Sequence, residues 1–409
     1  MKKGIRFFVV FSSTGILALT LIYSLLWARM VMTPGERGGS DFMGNYAGAR
    51  IAQEYGFRYV YDTALQIEIQ TRAAGYEFSN EHIPYFTHPP FIVPLGMLIS
   101  DENYVASLIR WSLLLLLFNG MVVYFLMKGL ARLNFTNQQR WLLAAGTFLF
   151  WPTYLGFANG QDAIVLLLGA SIWFYFLMED KPFNAGLGLG LAVIRPQSAI
   201  LLIAPFLVRH RKFLWGALLS GGLLAAISLA MIGLDGIPPY INILGVVEGD
   251  VWRLPHSLDM PTISGMIRRN TDSLDKNVLR SIMLGGYFVG LLASLWLGAS
   301  RQFGAKQAGL LMLVTLLFAP YAHYHELMFL LVPIYCVIFL LGKENAVPAN
   351  YLAALPLVIS LFLMIGFSGS GVLKYPSVYL VMLALSYGLF FHEKLTKKSG
   401  SRANNLQVP

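Results

Sequence analysis

A chain of 409 residues in which 56% are hydrophobic, 12% are charged and the mean hydropathy is +0.60 has more apolar surface than one soluble core of this length hides, so an integral membrane protein is expected. The net charge of +9 comes from Lys and Arg gathered in short connections between apolar runs, where they meet anionic headgroups and set orientation, and no nucleic-acid role is assigned. A single cysteine, Cys336, lies inside an apolar run, which excludes an intramolecular disulfide and a cysteine-based metal cluster.

The chain opens with Lys2-Lys3-Gly4-Ile5-Arg6 and an apolar stretch to Met32. A secretory signal has an apolar region of about 7–15 residues, whereas this run approaches the roughly 20 that cross a bilayer, so it reads as a first transmembrane helix with its N-terminus inside. The connection 33–88 holds Asp41, then Asn45–Ala52 with small and aromatic residues at helical spacing, then Tyr61-Asp62 and an amphipathic stretch 63–74 expected along the interface. Further helices are predicted at 104–127, 141–157, 161–178, 185–207, 213–232, 280–299, 307–322, 326–342, 348–368 and 377–391. Pro89–Ser100 is short for a crossing, and 185–207 is interrupted by Arg195-Pro196 with basic residues at both ends, the pattern of a broken or re-entrant segment. Basic clusters assign connections 33–88 and 233–279 to the outer side and both termini to the cytoplasm. The expected fold is an all-α polytopic bundle of about 10–13 transmembrane helices in one membrane domain, 1–393, followed by a disordered tail, 394–409.

Asp41, in Gly38-Gly39-Ser40-Asp41-Phe42, stands a few residues past the first apolar run. A carboxylate just outside a bilayer is suited to take a proton from a hydroxyl at the water boundary while the lipid side supplies a second substrate. Four polar stretches interrupt the apolar segments: His88-Pro89-Pro90, Asn159-Gly160-Gln161-Asp162, Arg195-Pro196-Gln197 and His323-Tyr324-His325-Glu326. All four are expected to face one cavity with Asp41. Each has a plainer reading. Asp41 and Asp162 suit helix caps, Arg195 suits an ion pair with Asp162, His323 and His325 suit an interfacial helix end, and Arg253 and His256 suit loop surface. His323, His325 and Glu326 do not share a helix face at the spacing a zinc site needs, so no metal or other cofactor is expected; a divalent ion between Asp41 and a distant ligand stays an open alternative.

Taken in order, these stretches resemble a polyprenol-phosphate-mannose-dependent glycosyltransferase of the GT-C superfamily. The resemblance rests on Asp41-Phe42 through Tyr46-Ala47-Gly48-Ala49, Gly56, Val60-Tyr61-Asp62, Tyr85-Phe86-Thr87-His88-Pro89-Pro90, Gly160-Gln161-Asp162, Ala185-Gly186-Leu187-Gly188 through Arg195-Pro196, Arg209–Lys212, and Pro320-Tyr321-Ala322-His323-Tyr324. It departs from the family pattern at Arg195, where Lys is usual, and at His88, where a small or apolar residue is usual. The resemblance implies a GT-C-like bundle that moves a sugar, mannose by analogy, from a polyprenyl-phosphate donor to a hydroxyl of a glycolipid or glycan, with inversion.

Such a displacement needs a base for the nucleophile and cations at the leaving phosphate. Asp41 is the expected base. Arg195, His323 and His325, with Arg253 and His256, are the expected donor contacts, and Tyr46, His88, Asn159 and Gln161 the expected groups for orienting substrate. The implied setting is a bacterial cytoplasmic membrane with the site facing outward. Two other classes share a polar cavity in a multi-span protein. A flippase for lipid-linked saccharides predicts inverted repeats and paired broken helices, and an envelope polysaccharide polymerase or ligase predicts an Arg-rich late outer loop such as Arg253, Arg268, Arg269 and Arg280.

Overall fold

The computed structural model describes residues 2–76, 83–248, 259–270, 275–366 and 375–404, and among them every regular element is a helix. Five helices are long and apolar enough to cross a membrane: Ser12–Met32, Tyr104–Gly129, Arg211–Ile232, Asn277–Gly298 and Tyr324–Lys343. A sixth span arises if Asn137–Phe148 and Trp151–Ala158, bent by 42°, count as one. The protein is therefore an all-α polytopic membrane protein.

The other apolar runs form shorter helices than the roughly 20 residues a crossing requires, so unbroken spans are fewer than the sequence suggested. Proline explains most of the breaks, because it removes a backbone donor and pushes its predecessor out of the helical region. Pro152 opens Trp151–Ala158, Pro196 follows the break at Arg195, and Ala305–Phe318 stops ahead of Pro320. The apolar part of the last helix, Pro376–His392, is likewise short for a crossing.

The described residues of the connection 33–88 form a packed unit. Its Phe42–Glu54 helix buries Phe42, Met43, Tyr46, Ala47 and Ile51. Asp62 caps Thr63–Ala74 by accepting from the Ala64 and Leu65 amides at 2.9 and 3.1 Å, leaving Gln66, Ile69 and Gln70 buried. Gln66 donates to the Val60 carbonyl at 2.9 Å and accepts from the Phe86 amide at 2.8 Å. The segment that leads to His88 is thus tied down by backbone partners that would otherwise be buried unpaired.

The break at Arg195 is seated by two helices in backbone contact. A Cβ on Gly186 would lie 2.1 Å from the Phe213 carbonyl oxygen, and one on Gly216 2.1 Å from that of Phe183. Glycine at both positions lets Pro182–Leu189 press against Arg211–Ile232, the close approach that small residues permit between membrane helices.

Candidate active site

Asp41 immediately precedes the Phe42–Glu54 helix but makes no side-chain cap bond, so its carboxylate is turned to another use. The Phe42 amide donates to the Asn159 carbonyl at 3.3 Å, and the Trp111 indole donates to the Gly160 carbonyl at 2.8 Å. Gly160 has φ +69°, and a Cβ on it would lie 2.6 Å from Phe42 Cβ. Only glycine meets both demands, and this turn brings Gln161 Nε2 to donate to Asp41 Oδ2.

Behind Gln161 lies Arg195. Its Nη2 donates to Gln161 Oε1 at 3.3 Å and to Asp162 Oδ1 at 3.0 Å, its Nε to Glu326 Oε1 at 3.1 Å, and its Nη1 lies 2.8 Å from His88 Nδ1. Asp162 is 0% and Glu326 3% exposed, so this is a buried ion triad. The ion pair between Arg195 and Asp162 considered from sequence is present. Glu326 adds a second carboxylate, so the guanidinium expected at a donor phosphate has its charge offset inside the protein. Asp162 makes no side-chain cap bond to the helix Ala163–Met178.

Nδ1 of His88 is also 3.3 Å from Asp162 Oδ2. A ring nitrogen that accepts from a guanidinium has no proton left for a carboxylate, and Asp162 Oδ2 and Glu326 Oε2 have no hydrogen-bond partner among the described residues. Burial pushes the His88 pKa down to about 4; Asp162 opposes and Arg195 reinforces the shift, so a neutral ring is expected at pH 7. Asp41 moves the other way, to about 6. The surrounding protein raises it, the Gln161 bond and the Arg195 charge lower it, and the Asp162 charge raises it. The residue is nevertheless exposed to solvent, which tempers the upward shift.

The remaining expected residues divide. Asn159 donates to the Tyr324 hydroxyl at 2.7 Å, which ties the turn to the polar stretch before Leu331–Lys343. His323 and His325 stack with ring centroids 5.6 Å apart, and a Cβ on Gly156 would lie 3.8 Å from His325 Cβ and 3.9 Å from Gln161 Cβ, which places the His325 backbone near that of Gln161. Tyr46 is buried, and its hydroxyl donates to the Asp101 carbonyl at 2.8 Å rather than to a member of the cluster. Arg253 and His256 lie outside the described residues. The sequence reading placed Glu326 in a polar stretch facing the cavity and weighed it as a metal ligand, but did not pair it with Arg195; a buried Arg195 with too few partners was the signal that could have found the pair.

An apolar cavity of about 480 Å³ opens between the first helix, Tyr104–Gly129 and Trp151–Ala158. It is lined by Tyr23, Trp27, Leu115, Phe157 and Ile164 among others, and it reaches Gln161. The polar cluster and an apolar space between helices therefore meet at one side chain, Gln161.

The model of glycosyltransferase family 87 matches residues 86–320, more than half of the chain. The chain belongs to this family. It is a membrane glycosyltransferase whose family match takes in His88, Asn159, Gln161, Asp162 and Arg195, while Asp41 precedes it and His323, His325 and Glu326 follow it. No curated protein and no solved structure matches the chain.

Proposed function

We propose that this family 87 glycosyltransferase moves a sugar, mannose as the first candidate, from a polyprenyl-phosphate donor to a hydroxyl of a glycolipid or glycan at the outer face of a bacterial cytoplasmic membrane, with both termini inside. The observation that carries the reading is the meeting, at Gln161, of the Asp41 carboxylate with an apolar cavity between membrane helices. Such a cavity suits the hydrocarbon of a lipid-linked substrate, and the carboxylate beside it suits proton removal from an acceptor. In this reaction Asp41 takes the acceptor proton as the acceptor oxygen bonds to the anomeric carbon. The bond from that carbon to the phosphate oxygen breaks, its electron pair leaves with the polyprenyl phosphate, and the single displacement inverts the sugar. Since Arg195 is held by two carboxylates, stabilisation of the departing phosphate is assigned to His323, the more exposed ring of the stacked pair, with buried His325 packed against it.

The test is transfer from synthetic polyprenyl-phosphate-mannose to a membrane glycolipid extract, with purified wild type and Asp41→Asn in one detergent. Transfer by wild type, abolished in the folded variant that still binds donor, is the expected result. No transfer from a panel of polyprenyl-phosphate sugars, together with movement of such lipids across vesicles that Asp41→Asn leaves intact, would overturn the reading in favour of a transporter.

A further inference from the structure

The carboxamide of Gln161 is engaged at both ends, and its neighbours decide which end is which. Arg195 can only donate, so the atom facing it at 3.3 Å is the carboxamide oxygen. The amide nitrogen must then point to Asp41, whose ionised carboxylate can only accept. Arg195 is immobilised in turn from three separate parts of the chain: Asp162 beside the Ala163–Met178 helix, Glu326 in the turn Tyr324–Leu330, and His88 in the first outer connection. Gln161 is 8% exposed, so little of it is open for a sugar to engage.

We propose that Gln161 is a positioning residue for the base: Arg195, clamped by Asp162, Glu326 and His88, orients the carboxamide so that its N–H end holds Oδ2 of Asp41 and leaves Oδ1 for the acceptor hydroxyl. The inference rests on the reading of Asp41 as base, and it gives Gln161 and Arg195 roles other than the sugar and phosphate contacts expected from sequence. An N–H donor favours the ionised carboxylate, and fixing one oxygen removes rotation about the side chain that would misplace the other. The charged and titratable groups that act on Asp41 are Arg195, Asp162 and Tyr324, with Glu326 and His88 one contact further out on Arg195 and Asp162, and substitution at Gln161 leaves each of these residues unchanged.

Two measurements test this, and only one of them needs transfer activity. In the first, Asp41 of wild type, Gln161→Leu and Gln161→Glu is labelled with a water-soluble carbodiimide across a pH series and read by peptide mass spectrometry, since the protonated carboxyl reacts. The labelling midpoint is expected to rise by about one pH unit in Gln161→Leu and further in Gln161→Glu, which faces Asp41 with a like charge. An unchanged midpoint in both variants would overturn the inference whether or not the protein transfers sugar. In the second, kcat is expected to fall about a hundredfold in Gln161→Leu with KM for donor and acceptor little changed, and the acid limb of kcat to move to higher pH. A rise in KM with an unmoved pH profile would mark Gln161 as a sugar contact and sink the proposal. If Gln161→Leu does not fold, Gln161→Met, closer in length and shape, takes its place in both experiments. Failure of wild type to transfer while the midpoint still shifts would reject the base assignment and leave the positioning geometry standing.

Discussion

Arg195 shows how one residue type admits two roles until its neighbours are known. In sequence it is a cation inside an apolar run; in the fold it is the shared partner of Asp162 and Glu326, both with less than a tenth of their surface open. Breaking a buried ion pair strands the remaining charges, so Arg195→Met is expected to destabilise the protein by about 3–5 kcal/mol in reversible denaturant unfolding in mixed micelles. Arg195→Lys keeps the charge, loses the fork that reaches several partners at once, and is expected to cost less. A loss no larger in the methionine variant than in the lysine variant would mean that the triad does not hold these segments together. Asp41 gives a pH prediction. Its pKa is raised toward about 6 and the base must be deprotonated, so initial rates are expected to fall as pH drops through that value and to level off above it. A rate that stays flat well below pH 6 would argue against a raised carboxyl as base. The sequence singled out Asp41 as an acid a few residues past the first apolar run, and the fold separates it from its neighbour Glu36, which pairs with Arg29. The sequence offered no means to pair Glu326 with Arg195, since 131 positions separate them.

At the scale of elements, the turn Asn159-Gly160-Gln161 decides whether base and carboxamide meet. Gly160→Ala adds a methyl at positive φ and within 2.6 Å of Phe42 Cβ. The backbone strain alone costs about 1–3 kcal/mol, and shifting the Phe42 end of the Phe42–Glu54 helix moves Asp41 with it, so transfer is expected to fall well beyond the change in stability. Gly222, with open space around its added Cβ, is the control: Gly222→Ala is expected to stay within about 1 kcal/mol in the same unfolding assay. Equal effects of the two substitutions would remove the geometric argument. The break at Arg195-Pro196 was readable because proline acts locally, whereas the helix expected over 307–322 was carried through Pro320 and in the fold stops at Phe318. The amphipathic helix Thr63–Ala74 buries Gln66, Ile69 and Gln70 on one face, with Gln66 bonded to the segment before His88; no local pattern names these partners.

Across the whole molecule, the helices leave a cavity of about 480 Å³ beside the buried cluster. If it takes the donor's hydrocarbon, then Ala28→Trp, which fills it from the first helix, is expected to lower turnover with long polyprenyl carriers while sparing donors on a two-isoprene carrier. Matched losses with both donors would mean that the cavity does not hold the tail. Composition and hydropathy were sufficient for the all-α membrane class, because burial of apolar surface depends on how much of it the chain carries and not on where each residue ends up. Local order along the chain was sufficient to single out Asp41 and four polar stretches. Which atoms of those stretches touch was decided only by tertiary structure. Asp41, His88, Gln161, Asp162, Arg195 and Glu326 come from far-separated segments, and their partnership depends on a glycine turn, a glycine-lined helix crossing and hydrogen-bond geometry, none of which is encoded in spacing.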